Sequence, residues 1–564
     1  MYNDVDQRLS TISSEAGWKA STDVTDQHTG ERIGADAALA SFRGSRYVIE
    51  SARKYLALRQ QLDDVEFRQL DKILLSAAES PGTIPDIVNA KIQAEARLEA
   101  VLNAFEFCAG PRQGDKCPKP VSVNEIDKIL RESKDVNERR RYWEISKQTG
   151  PALKKGLAEV RDLRNRVAKE LGYSSYFHLQ VADYGMSVPE MMTLMDKTLA
   201  DLQPLYSALH QYARGRLAER YKQPVPAEML PAHWMTNRWG QEWPSLVDAA
   251  DLDPYFKNQT PEWIVRQSEK FYTSLGMPPL PKSFYEKSDL YEPPKGSKKR
   301  KNTHASAWHI DGKEDVRSLM NIVPDYKWFE TSHHELGHVY YYIAYSNPKV
   351  PHVLREGMNR AFHEAVGDLI GIAAHQQPYL RQIGILPESF KVDPNEYLLS
   401  QALDAAIVFL PWSAGTMTHF EYELYEKNIP PDQFNKRWWE IVKQYQKMEP
   451  PSDRGEEFCD ACTKTHIIDD AAQYYDYAMA FVIKYQLHDY IARKILKQDP
   501  HDCNYYGNKE VGKWLTEILS LGATRDWRQV IKEKTGEEVS SRAIIEYFKP
   551  LEGYLKSLPA AKAN

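Results

Sequence analysis

The stretch His334-Glu335-Leu336-Gly337-His338 constrains this chain more than any other. It reads H-E-x-x-H. On a helix, residues four apart share a face, so His334 and His338 can present two imidazoles to one ion. Glu335, one position on, can stand beside the open coordination position. Two neutral nitrogen ligands with a carboxylate base beside them is what zinc-dependent hydrolysis of a peptide needs. The pattern is meaningful only on a helix, and the flanks predict one. Asp325 after Pro324 reads as an N-cap, residues 326–345 hold no Gly or Pro except Gly337, and Asn347-Pro348 ends the run.

Catalytic zinc keeps three protein ligands and an open position, so a third ligand is required. Downstream, residues 361–374 read as a second, strongly apolar helix carrying Glu364 and Asp368 four apart. Unpaired buried charge is costly. Glu364 on the metal and Asp368 accepting the far N–H of a metal histidine would satisfy both. The alternative is a pair of rim carboxylates facing water.

The 564 residues are 42% hydrophobic and 27% charged, enough for a large core, and no repeat or long linker divides them. One large domain, in two lobes, is expected. A net charge of −6 gives no reason to expect a nucleic-acid partner. The run Lys298-Lys299-Arg300-Lys301 follows Pro293-Pro294-Lys295-Gly296-Ser297 and reads as a solvated loop. No stretch approaches the roughly 18 apolar residues of a membrane span, so none is expected. The start has no signal-peptide pattern, which leaves a chain that stays inside or a mature form behind an initiator Met. Cys108 and Cys117 bracket a Gly/Pro-rich loop that suits a disulfide. Cys459-Asp460-Ala461-Cys462 lacks neighbouring ligands for a second zinc and reads as a second disulfide or two plain thiols. An oxidising compartment, periplasmic or secreted, is expected, with the cytoplasm as the alternative.

Strand-like alternation is scarce, so the fold class is mainly α. Residues 37–58 and 65–78 are amphipathic, and Asp86 reads as the N-cap of a helix to about residue 107. Residues 122–147 and 151–171 give two helices, the second closed by Gly172, and a long helix runs over 189–221. In Trp239-Gly240-Gln241-Glu242-Trp243 the aromatics suggest core, while Gln241 could line a pocket. Residues 303–310 and 316–323 flank Asp311-Gly312-Lys313 and read as a hairpin leading into the metal helix, whose backbone an extended peptide could pair with. His304 at its start is a core histidine or a substrate contact. Residues 447–463 read as a Pro- and Cys-bearing loop. Beyond it, Lys464-Thr465-His466 and Tyr474-Tyr475-Asp476-Tyr477 put a cation, a histidine and phenols close together. His466 and Tyr477 are candidate donors to an oxyanion; a surface tyrosine cluster is the alternative.

These stretches, with Pro231-Ala232-His233, His304-Ala305-Ser306-Ala307-Trp308, Leu354-Arg355-Glu356-Gly357, residues 362–368, Trp438-Trp439 and Tyr547-Phe548-Lys549-Pro550-Leu551, carry a resemblance. The chain resembles the single catalytic domain of angiotensin-converting enzyme and its bacterial relatives, the peptidyl-dipeptidase A family of gluzincin metallopeptidases. The match runs in order from about residue 231 to the end and is fainter before it. It implies an ellipsoidal, mostly helical, two-lobed zincin fold with a deep cleft, residues 1–564 forming one catalytic domain and residues 1–107 a helical lid within it. It implies one zinc on His334, His338 and Glu364, with Glu335 as base and acid and Asp368 behind a ligand. Gln241, Lys464 and Tyr474 would hold the substrate's C-terminal carboxylate. His304 and His466 would bind the carbonyl of the terminal dipeptide, Ala305 and Ala307 would pair with its backbone, and Tyr477 would stabilise the oxyanion.

The expected activity is release of C-terminal dipeptides from oligopeptides by attack of a zinc-held water. Two alternatives are a carboxypeptidase releasing single residues and a silent peptide-binding protein. In the carboxypeptidase branch an arginine replaces Gln241 and the lysine is absent, so Gln241 with Lys464 favours dipeptides. The sequence departs from the mammalian pattern in places. The gap from His338 to Glu364 is longer, no C-terminal stalk is expected, and Ala492 stands where the partner of Cys503 would be, leaving that thiol free. Asp476 and Val442 replace arginines that bind chloride, so chloride is not expected to be required. Asp476 would supply a fixed negative charge in its place.

Overall fold

The computed structural model describes residues 1–558 except 115, 244, 245, 248–250 and 295, and leaves aside the side chains of 404 and 405. Asp115 and Lys295, within two of the loops read above, lie outside the described residues. Helices dominate, and the described strands form only two short two-stranded ladders and one three-stranded sheet. The fold is therefore mainly α.

Contacts divide the chain into two compact units, each built from three separate stretches. The first holds Met1–Thr83, Asp251–Lys391 and Met479–Ile544. The second holds Ile84–Ala250, Val392–Ala478 and Ile545–Asn564.

In the first unit the hairpin reading of residues 303–323 stands. Strand Ser306–His309 pairs antiparallel with strand Val316–Ile322, Ala307 opposite Ser318. A further strand, Asp289–Tyr291, runs parallel on the other side of Val316–Ile322 and was not evident in the sequence. Ser306–His309 is thus an edge strand of its sheet, with no further strand paired to its outer side among the described residues. The N-terminal helix Tyr2–Thr22 packs on this sheet: Trp18 meets Trp308 edge-on at 5.8 Å, and Arg317 pairs with Glu15 at 2.8 Å.

Several helix boundaries differ from the sequence reading. The run over 37–58 is interrupted: one helix spans Asp26–Arg43 and the next Arg46–Leu56. Ser45 caps the second helix, and Gly44 is required at the junction because a Cβ there would sit 1.9 Å from the Ser80 carbonyl oxygen. Asp86 lies in the first turn of helix Pro85–Ala104 rather than at its cap, since Pro85 already occupies the first helical position. Residues 122–147 form two helices, Val123–Glu132 and Val136–Ile145, because Asp135 caps the second. The solvated-loop reading of Lys298-Lys299-Arg300-Lys301 fails at its last residue. Lys301 is buried, donating to Asp289 Oδ1 at 2.7 Å and to the carbonyls of Tyr291 and Met320 at 2.6 Å.

In the second unit the long helix, Val188–Tyr221, begins with a capping box between Ser187 and Glu190. Cys108 and Cys117 are joined by a disulfide, as are Cys459 and Cys462, while Cys503 is free and buried.

One buried carboxylate ties the N-terminal helices to the loop before the Glu364 helix. Asp6 accepts from Arg43 Nε at 2.7 Å and Nη2 at 3.0 Å, and lies 3.3 Å from His352 Nε2. Burial alone would raise its pKa, but the hydrogen bonds from His352 and Arg43 hold it well below the usual carboxylate range. The stabilisation is therefore complete above the unfolded pKa of about 4 and is lost as pH falls below it. Asp6→Asn is expected to lower the hydrogen-exchange protection of the first two helices by about 3 kcal/mol at pH 7. The difference from wild type should shrink at pH 3, and equal protection at pH 7 would show that the contact contributes nothing.

Candidate metal centre

The helix Tyr326–Tyr345 starts at Asp325, whose side chain accepts from Trp328 N–H, as its Pro-Asp entry predicts. It carries His334, Glu335 and His338. The helix Arg360–His375, capped by Asn359, carries Glu364 and Asp368. The two approach closely because each has a glycine at the crossing. A Cβ on Gly337 would lie 2.9 Å from Gly367 Cα, and one on Gly367 would lie 2.8 Å from the His334 ring.

The ligand atoms of His334, His338 and Glu364 all lie within 4.8 Å of one another. The two Nε2 atoms are 3.0 Å apart, and Glu364 oxygens stand 3.7 Å from His334 Nε2 and 3.9 Å from His338 Nε2. The outer nitrogens have their own partners. His334 Nδ1 is 3.1 Å from Asp368 Oδ1, and His338 Nδ1 is 2.7 Å from His363 Nδ1. With a proton on each ligand's Nδ1, both Nε2 lone pairs converge on one point. Such a pair of facing acceptors is unfavourable without a cation between them. Two neutral imidazoles and a carboxylate so disposed fit a zinc ion.

Asp368 also accepts from Lys484 Nζ at 2.8 Å. Burial opposes its charge, yet Lys484 and His334 hold its pKa well below the ordinary range. Burial likewise opposes charge on His334, but the hydrogen bond and charge of Asp368 raise its pKa to about 9, so in the absence of metal a proton on its Nε2 faces His338 Nε2 at the point a zinc ion would take. Burial pushes Glu335 up to about 7, and its Oε2 is buried without a hydrogen-bond partner among the described residues. Glu364 departs from the sequence reading of a buried group: its side chain is 44% exposed, so burial of the helix falls on its apolar face.

The other predicted residues form two groups. On the sheet of the first unit, Ala307 lies in the edge strand, with His304 and Ala305 just before it. The Ala307 carbonyl accepts from Tyr342 Oη at 3.3 Å. In the second unit Lys464 is buried and donates to Gln241 Oε1 at 2.9 Å. Its ammonium lies 4.7 Å from the Trp239 ring centre and 5.5 Å from that of Tyr474. Among the described residues it makes no ion pair with a carboxylate. Burial, with Arg238 nearby, lowers its pKa to about 8. Tyr477 Oη is 3.4 Å from His466 Nε2, and Tyr474 packs edge-on against the His466 ring and tilted against that of Tyr477, so the phenols are packed together rather than scattered on the surface. Asp476 is buried and accepts from Tyr184 Oη at 2.7 Å.

Sequence reasoning missed Lys484, His363 and Tyr342. Lys484 stands 116 positions from Asp368, with no motif around it. His363 is adjacent to Glu364, and neighbours on a helix do not face the same way, so periodicity pointed elsewhere. The position of Tyr342, two turns after Glu335 on the same helix, was the one available signal.

The family profile described as angiotensin-converting enzyme matches residues 1–563. An angiotensin-converting enzyme of Theromyzon tessulatum is 28% identical over 581 aligned residues, covering 98% of this chain and 90% of that protein. The angiotensin-converting enzyme-related protein of Drosophila melanogaster is 33% identical, covering 76% and 71%. An angiotensin-converting enzyme of Sus scrofa is 30% identical, covering 72% of this chain and 32% of its own length.

Asp368→Ala is expected to weaken zinc binding by about 10–100-fold, read by competition with a chelator, because His334 loses the partner that orients it. Gly367→Ala should weaken zinc binding as well, by pressing a methyl group into the His334 ring. Unchanged affinity in both variants would show that the His334 position is set elsewhere.

Proposed function

Because the chain belongs to the angiotensin-converting enzyme family and is thus a zinc metallopeptidase, we propose that it is a peptidyl-dipeptidase releasing C-terminal dipeptides from oligopeptides. The observation that carries this reading is the buried ammonium of Lys464, held by the neutral Gln241 amide and aromatic rings. A buried cation of this kind calls for an anion, and a free peptide C-terminus supplies one. The presence of both Gln241 and Lys464 favours removal of two residues over one.

His334, His338 and Glu364 would hold one zinc. When bound, zinc acts as a Lewis acid and lowers the pKa of its water to about 7. Glu335 takes a proton from the attacking water and delivers it to the leaving amine. Asp368, itself held by Lys484, keeps the His334 proton on Nδ1. Tyr477 donates to the oxyanion of the tetrahedral intermediate. Gln241, Lys464 and Tyr474 hold the terminal carboxylate, while His304 and His466 bind the carbonyl of the departing dipeptide. Ala307 in the edge strand and Ala305 just before it offer backbone to an extended peptide.

Residues 1–564 act as one catalytic domain in this reading, with residues 1–107 as its lid. Asp476 provides a fixed negative charge, so chloride is not required. No described helix is long and apolar enough to cross a membrane. The two disulfides support a periplasmic or secreted location.

Mass spectrometry of one oligopeptide before and after incubation decides the reaction. Successive losses of two residues are expected, abolished by a chelator and restored by zinc; losses of single residues would refute the dipeptidase reading. Glu335→Gln should keep zinc and fold and lose most activity. Tyr477→Phe should lower kcat on the order of 10²-fold. A change confined to KM would remove Tyr477 from the oxyanion role.

A further inference from the structure

The segment leading into Lys464 carries a buried charge that the chemistry above does not use. Asp460 lies between Cys459 and Cys462 and is fully buried. Its Oδ2 accepts from Trp439 Nε1 at 2.8 Å and from Arg454 Nε, and its Oδ1 accepts from Arg454 Nη2 at 2.7 Å. Its N–H donates to Asn435 Oδ1 at 2.8 Å. Lys147 brings a second buried cation. Its ammonium lies 5.1 Å and 5.2 Å from the ring centres of Trp143 and Trp239 and donates to the Arg238 carbonyl at 2.9 Å. The charge of Asp460 acts on it favourably. Arg454 packs over Phe458 at 3.8 Å, with its side chain only 4% exposed. A guanidinium and an indole N–H therefore hold a carboxylate that the chain itself supplies, and its charge also acts on the Lys147 ammonium. Without that carboxylate, Arg454 would be left as an uncompensated buried charge.

This nest is wired to the carboxylate anchor. The Asp460 carbonyl accepts from Thr463 Oγ1 at 2.6 Å, and Thr463 Oγ1 accepts from Trp239 Nε1 at 3.1 Å. Trp239 is the ring that faces the Lys464 ammonium. The Lys464 N–H donates to the Ala461 carbonyl at 3.0 Å, closing the turn that the disulfide brackets.

We propose that Asp460 is a built-in anion that positions Lys464 for the substrate carboxylate, and that truncating it turns the nest into a site for a small diffusible anion. The inference rests on the reading of Lys464 as the anchor. Removing the carboxylate leaves the Arg454 and Trp439 N–H donors converging where its oxygens were, a space of about one carboxylate that a small anion such as chloride or formate would refill.

The test compares free-acid and C-terminally amidated forms of one peptide. Wild type, Asp460→Ala, Asp460→Asn and Lys464→Ala are assayed at constant ionic strength, with gluconate replaced stepwise by chloride or formate. Asp460→Ala should raise KM for the free acid at least tenfold, with kcat within about twofold and the amidated peptide little affected. Chloride or formate should recover at least fivefold of that KM, while wild type stays flat. Asp460→Asn, which fills the same volume without the charge, should show the KM rise with no rescue, and it decides the positioning role if the alanine variant does not fold. Equal damage to both peptides, or a free-acid KM unchanged in the asparagine variant, overturns the positioning role. A rise in Asp460→Ala that neither anion reverses overturns the anion site. If Lys464→Ala leaves the free-acid KM unchanged, the anchor reading itself fails. If Lys464→Ala raises it and the Asp460 variants do not, the anchor stands and the built-in anion falls.

Discussion

A methyl group at position 367 would lie 2.8 Å from the His334 ring, and the rest of the metal centre depends on its absence. Two helices can bring three ligand atoms within 4.8 Å of one another only if their backbones nearly touch. Gly337 and Gly367 permit that, and the large aromatic residues around them do not move in, because they are committed to packing. Tyr272 stacks on Tyr340 at 4.3 Å, and its hydroxyl donates to the His333 carbonyl at 2.6 Å. The helix is thus fixed in rotation as well as in distance. Small residues set the approach and aromatic ones set the angle.

Legibility of the sequence followed the range of the interactions. The metal helix was readable to its cap because Pro324-Asp325, the four-residue histidine spacing and Asn347-Pro348 are all local. Glu364 and Asp368 were readable as a pair because a helix repeats every 3.6 residues. The fold class was readable because strand alternation was missing over most of the chain. What could not be read depends on partners far away in sequence. Lys484 meets Asp368, Lys301 donates to the Met320 carbonyl, and Ser80 forbids a side chain at Gly44. Nothing in the local pattern of these residues differs from that of an exposed lysine or a flexible glycine. The resemblance reached Lys464 and Tyr477 where spacing alone left a surface tyrosine cluster open.

Three aspartates, Asp6 and Asp460 buried and Asp368 partly so, follow one design. Asp6 is held by Arg43 and His352, Asp368 by Lys484 and His334, and Asp460 by Arg454 and Trp439. Asp6 and Asp368 join elements distant in sequence, Asp460 joins nearer ones, and each has its lone pairs largely occupied by donors. Pairing of this kind adds little over an apolar contact of the same volume, but breaking it is costly. Such pairs therefore specify one arrangement more than they stabilise it. They lie where arrangement matters most: beneath the N-terminal helices, behind a metal ligand and beside the carboxylate anchor.

The weave of the chain carries a consequence for its biosynthesis. Each compact unit draws on three stretches, and the last stretch of each begins only at Met479 or Ile545. The Asp6 contact with His352 spans most of the first unit's sequence, and Lys154 pairs with Glu456 across 302 positions. A ribosome emitting this chain from its N-terminus cannot complete either unit before nearly the whole sequence has emerged. Folding as successive domains is unavailable, and contacts this distant close slowly. The nascent chain must hold open apolar helices, with Trp18 and the sheet it covers still apart, for most of its synthesis. A polypeptide of this topology keeps apolar surface unburied until its last segments arrive.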